Sequence, residues 1–177
     1  QHWPKDLDYK GKNVVVIGSG ATAMTLVPAM ADEAARVTLL QRSPTYVVAR
    51  PDQDKIANTL RKLLPNSVAY ALTRFKNTQL QHFMYQRMRK EPQKMKKGLI
   101  GLVREALGSD YDVDKHFTPR YNPWDQRLCL IPNGDLFSSI KQGKTEVVTD
   151  HIDHFTENGV KLPSGEELEA DIIVTAT

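Results

Sequence analysis

Residues 13–28 read NVVVIGSGATAMTLVP, and this stretch limits the possible folds of the chain more than any other. Val14 to Ile17 are all β-branched, so the strand they form must be covered on both faces, as a central parallel strand is. The strand runs directly into Gly18-Ser19-Gly20. Apolar residues at helical spacing (Met24, Leu26, Val27 and Met30) then predict a helix from Thr22 to about Ala35, with a kink or a tightly packed turn at Pro28. Val37 to Leu40 supplies a second short strand, which completes a βαβ unit.

The turn inside that unit has the form G-x-G-x-x-A, made by Gly18, Gly20 and Ala23. The first glycine permits the tight turn. The second lets backbone amides approach a pyrophosphate at the helix N-terminus. The third position needs only a small residue for close helix–strand packing. Gly18, Ser19, Gly20, Ala21 and Thr22 are therefore expected to bind a dinucleotide. An NAD site places an acid at the end of the second strand to hold the ribose 2′-hydroxyl, and FAD sites favour one too. This chain carries Gln41-Arg42-Ser43 there instead. A guanidinium and a hydroxyl would accept a 2′-phosphate that an acid would repel, so the expected cofactor is NADPH, with Gln41, Arg42 and Ser43 at its phosphate.

The rest of the chain divides by pattern. From Tyr46 to about Leu107 it reads as helical. Ile56, Leu60, Leu63 and Leu64, then Val68, Leu72, Phe75, Leu80, Phe83 and Met84, form stripes taken as core, and Leu99, Ile100, Val103 and Leu107 form a further helix closed by Gly108. HFTPRYNPWDQRLCLIP reads as loops. Asp135–Ile140 predicts a short helix and Glu146–Thr149 a strand. Asn158-Gly159 and Pro163-Ser164-Gly165 turns between short alternating runs predict a terminal meander before the closing strand Asp171–Thr175. The expected fold is α/β: a two-layered, Rossmann-like dinucleotide-binding domain, with a parallel sheet and terminal β-meander, over residues 1–45 and 110–177. Residues 46–109 are expected to be an inserted helical subdomain.

Composition narrows the partners. Of 177 residues, 40% are hydrophobic and 25% charged, as in ordinary globular proteins, and no apolar run is long enough for a membrane span. Eight bases and one acid lie between Arg74 and Lys97, but methionines interleave them and no aromatic stacking pattern accompanies them. A solvated helix face is expected there, with no nucleic-acid partner. The one cysteine, Cys129, excludes an intrachain disulfide and is expected to be a small buried hydrophobe in a cytoplasmic protein. The five histidines show no metal-ligand spacing with partners, so no metal is expected, and His116 is expected to order the loop that carries Arg127.

The chain opens on Gln1 and closes in the strand-like ADIIVTAT, and a piece of a larger protein is expected. Gln1-His2-Trp3-Pro4 resembles the end of the fingerprint F-x-G-x-x-x-H-x-x-x-W-P of Baeyer–Villiger monooxygenases. GSGATA with LLQRSPTYV, HFTPRYNPWDQRLCLIPNGDLF and SGEELEADIIVTAT resemble successive parts of that family's NADPH domain, in order and over essentially the whole chain. The resemblance implies an FAD domain, absent here, and a reaction in which NADPH reduces FAD. O₂ then gives a C4a-peroxyflavin that attacks a ketone or a soft heteroatom such as a sulfide. It also implies that Arg127 is the catalytic arginine that stabilises the anionic peroxide and contacts the nicotinamide. Several members carry Lys before that arginine to help hold the 2′-phosphate, whereas this chain has Gln126. Three other readings stay open: a flavin-dependent N- or S-oxygenase, the NADPH domain of a flavoprotein disulfide reductase, and a non-enzymatic NADPH-binding module.

Overall fold

The computed structural model describes residues 3, 4 and 6–177; Gln1 and His2 of the tetrapeptide Gln1–Pro4 lie outside the described residues. The elements follow in the order β1 (Asn13–Ile17), α1 (Ala21–Met30), β2 (Arg36–Gln41), β3 (Tyr46–Arg50), α2 (Lys55–Leu63), α3 (Asn66–Lys90), α4 (Pro92–Leu107) and α5 (Val113–Phe117). They continue with β4 (Leu128–Pro132), α6 (Asp135–Lys141), β5 (Thr145–Thr149), β6 (His154–Phe155), β7 (Gly159–Lys161), β8 (Glu167–Glu169) and β9 (Ile172–Thr175). A four-stranded parallel sheet of order β5-β2-β1-β9 forms the frame, with Val14 opposite both Val37 and Ile172.

The apolar run of β1 is buried on both faces for two different reasons. Val14 and Val16 pack with Ala23, Met24 and Val27 of α1 and Leu136 of α6. Val15 points the other way, with Leu40, into Val160, Leu162 and Leu168 around β7 and β8. Burying each valine contributes about 1.5–3 kcal/mol relative to leaving it exposed. The antiparallel meander β6-β7-β8 thus covers the face opposite the helices. The domain has three layers rather than the expected two. The fold class is α/β with a parallel sheet, as the sequence patterns predict.

Helix α1 runs through Pro28 but ends at Met30, earlier than expected. Proline has no N–H to give to the carbonyl of Met24, and the chain turns out after one more pair of residues. The Ala31 amide donates to Val27 and the Ala34 amide to Met30.

Two strands lie where helix and loop were expected. Tyr46–Arg50 is β3, and Leu128–Pro132, within the proline-rich segment, is β4; the two pair in parallel as a separate ribbon. Val47, Cys129 and Ile131 of this ribbon join the core beneath α1.

The helical stripes also divide differently from the expectation. Leu99, Val103 and Leu107 of α4 are buried, but Ile56 and Leu63 of α2 and Val68, Leu72, Phe75 and Phe83 of α3 are exposed. Helices α2 and α3 pack on each other, and Asp54 ties them together. Its carboxylate accepts from the Lys76 ammonium at 2.6 Å and from the amide of Ala57 at 3.0 Å, and these bonds hold its pKa down to about 2. Met88 joins α3 to Tyr46 and Leu99. Among the described residues, no helix is long and apolar enough to cross a membrane.

Candidate dinucleotide site

The parallel strands β1 and β2 end at the glycine turn and at Arg42, and β5 ends at Asp150 beside them. A cleft of about 480 Å³ opens along these carboxyl ends, where ligands bind in open α/β sheets. Its base is the turn after β1. The Gly18 amide donates to Leu40 O at 2.9 Å, at φ +139°, and a Cβ added there would lie 2.4 Å from the carbonyl of Ala176. Gly20 precedes α1 without any side-chain cap, and the first turn of α1 carries no acid. The free amides there face no competing carboxylate, which suits an anion. Ala23 is fully buried against the sheet, so its small size serves close packing.

Arg127 comes from the loop before β4 and reaches the same turn. A Cβ added to Gly20 would lie 2.5 Å from an Arg127 guanidinium nitrogen. Arg42 and Ser43, both exposed, line the same cleft. Among the described residues neither Arg42 nor Arg127 makes an ion pair with a carboxylate. The cleft thus carries two guanidinium groups without an ion-pair partner among the described residues, together with Gly18 and Ser19 of the glycine turn, and Asp150 also lines it.

The other expected residues sit differently. Ala21 and Thr22 open α1 on the surface and do not line the cleft. The side chain of Gln41 is buried and turned away: its Nε2 donates to His116 O at 2.8 Å and to Thr149 Oγ1 at 3.0 Å. Gln41 thus ties the ends of β2 and β5 to α5. His116 serves the same junction through Thr149, 2.9 Å from its Nδ1, rather than the loop of Arg127. Burial and neighbouring Lys115 depress its pKa.

Thr45, Tyr121, Asp150 and His151 line the cleft without having been expected there. The rule that ligands meet strand ends could have found Asp150 and His151, which directly follow β5. Thr45 and Tyr121 carried no local signal, because what places them is a bond between residues far apart in the chain.

Cys129 lies under the turn, buried, with its thiol 3.9 Å from Ser19 O. Burial pushes its pKa up, against the opposing pull of Arg127 and a hydrogen bond with Thr45. Its alkylation by iodoacetamide at neutral pH is expected to be roughly a hundredfold slower in the native chain than in urea. Comparable rates in the two states would show that the thiol is accessible.

Comparison with known proteins places these features in context. No family model matches the chain. It is 59% identical over 178 residues to the FAD-containing monooxygenase EthA of Mycobacterium tuberculosis, covering 100% of this chain and 36% of that protein. It is 52% identical over 178 residues to the probable FAD-binding monooxygenase AlmA of Acinetobacter baylyi, covering 100% and 36%. The chain thus spans 36% of the length of these curated relatives. Its fold matches an oxidized steroid monooxygenase bound to NADP, with a TM-score of 0.70 at 18% identity over 99% of this chain and 40% of that one. It also matches an open crystal structure of cyclohexanone monooxygenase, with a TM-score of 0.66 at 19% identity over 99% and 41%. At such identities these two matches establish a shared fold. The expected resemblance is borne out: the sequence relatives are FAD-containing or FAD-binding monooxygenases, and the structural neighbours are a steroid monooxygenase and a cyclohexanone monooxygenase.

Proposed function

We propose that this chain is the NADPH-binding portion of an FAD-dependent monooxygenase of Baeyer–Villiger type. The observation that carries the reading is the pair of guanidinium groups, neither in an ion pair among the described residues, that line one cleft: Arg42 beyond β2 and Arg127 over Gly20. Residues 1–45 and 110–177 form the dinucleotide domain and 46–109 the helical insert, with β3 at their junction. A Cβ at Gly18 would meet the Ala176 carbonyl and one at Gly20 the Arg127 guanidinium, and the uncapped start of α1 beside this turn supports a pyrophosphate there. Arg42 and Ser43 take the 2′-phosphate, and Asp150 and His151 border the adenosine half of the cleft.

FAD, held by the remainder of the parent protein, would supply the hydride acceptor and the chemistry with O₂. The part played by this chain is to bind and orient NADPH and to hold a permanent positive charge at Arg127, which would stabilise negative charge developing in the oxygen chemistry. The oxygen acceptor is a ketone.

Nucleotide affinity and product analysis of the full-length protein test this reading. NADPH is expected to bind more tightly than NADH, and Arg42→Ala is expected to raise the Kd for NADPH about tenfold while leaving that for NADH within about twofold. Equal affinities of the unaltered protein for the two nucleotides would sink the NADPH assignment. A ketone should yield its ester or lactone. Oxygenation of sulfides or amines alone would move the protein to heteroatom chemistry.

A further inference from the structure

We propose that the hydroxyls of Tyr121 and Thr45 form a clamp that positions Arg127 over the glycine turn, an inference that rests on the role given to Arg127 above. The guanidinium itself has no anchor: among the described residues it makes no ion pair and no side-chain hydrogen bond, although it lies against Gly20. Its place must come from its backbone.

That backbone is held by two hydroxyls. Tyr121 Oη donates to Arg127 O at 3.1 Å, Thr45 Oγ1 lies 3.3 Å from the same carbonyl, and the two hydroxyls are 2.8 Å apart. Each hydroxyl has one hydrogen. When one of them donates to the carbonyl, the other can donate to its partner, so the two hydroxyls support each other at the Arg127 carbonyl.

The clamp is itself immobilised. Thr45 is buried, and Tyr121 O accepts from the buried Tyr46 Oη at 2.6 Å, with the two rings edge-on at 5.3 Å. Burial pushes the Tyr46 phenol up to about 12, so it remains a donor across the neutral range. Between clamp and arginine the chain turns through Trp124 at φ +68°, a conformation that bulky residues avoid, and Asp125 is tied to Arg89 on α3. A strained turn held at both ends keeps its register.

A double-mutant cycle in the full-length, FAD-loaded protein tests this, read as the Kd for NADP⁺ by calorimetry and as turnover. Removing both hydroxyls (Tyr121→Phe with Thr45→Val) is expected to cost about fivefold in Kd and about tenfold in turnover. Thr45→Ser, which keeps its hydroxyl, should stay within about twofold of the parent. In an Arg127→Ala background the same pair of changes should add less than about twofold in either readout. A full additional loss there would mean that the hydroxyls act on general stability, and would overturn the clamp. So would unchanged Kd and turnover in the folded double variant. If the double variant does not fold, the contrast between Thr45→Val and Thr45→Ser decides: equal values for the two overturn the clamp. If Arg127→Ala alone leaves both readouts unchanged, the reading of Arg127 fails instead.

Discussion

Replacing Arg127 by alanine is expected to lower turnover with NADPH by about 10²–10³-fold in the full-length protein, the loss typical when one preorganised donor to a developing oxyanion is removed. The fold should survive. The Arg127 side chain is exposed and makes no ion pair among the described residues, so its loss leaves no buried partner unsatisfied and no cavity. The melting temperature should therefore stay within about 2 °C of the parent, as for other surface substitutions. Arg127→Lys should recover only part of the rate, because an ammonium lacks the planar fork of donors. Steady-state product formation with a thermal melt separates the two effects. Turnover within threefold of the parent would remove Arg127 from the chemistry.

Gly18→Ala is expected to act on the fold itself. At φ +139° an alanine is strained, and its methyl would meet the Ala176 carbonyl at 2.4 Å. That carbonyl cannot retreat, because the Ala176 amide is bonded to Ile17 O at 2.8 Å and β9 is laddered to β1. A cost of about 3 kcal/mol follows, or a melting temperature about 6–12 °C lower for a chain of this size. Nucleotide binding should fall with it, since relieving the clash moves the amides of the turn. Gly20→Ala provides the contrast. Its methyl meets only the end of the flexible Arg127 side chain, at 2.5 Å, so the melt should change little while Arg127 is displaced and turnover falls. Equal melting temperatures for Gly18→Ala and the parent would show that the β9 end gives way.

How far the site could be read from sequence follows the range of the interactions that build it. The turn at Gly18 and Gly20 was legible because strand, glycine spacing and helix lie within one short stretch. The place of Arg42 and Ser43 at the cleft is legible because the second strand of a βαβ unit ends at a known place relative to the first. Gln41, one residue earlier, is expected at the phosphate, but alternation along β2 turns its side chain into the junction with Thr149 and His116. A single step along a strand exchanges the faces of the sheet, and sequence pattern alone did not locate the last buried position. The β3–β4 ribbon leaves no local pattern, because each strand is short and its partner lies on the other side of α2, α3 and α4. The stripes of α2 and α3 are expected to be core, and the structure leaves most of them exposed. Their exposure depends on what packs against them, which periodicity does not encode.

The sequence by itself determined the local chemistry of this protein: a parallel strand buried on both faces, a turn only glycine can make, a helix N-terminus free of acids, and Arg42 where an acid would otherwise stand. Only the tertiary structure decided what converges on that turn. The Ala176 carbonyl closes over Gly18, the meander buries Val15, and the Tyr121–Thr45 pair holds the Arg127 backbone so that its guanidinium lies on Gly20. The physical reason is range. Backbone conformation and side-chain period are set by neighbours a few residues away, whereas these contacts join segments whose separation in the chain leaves no local trace.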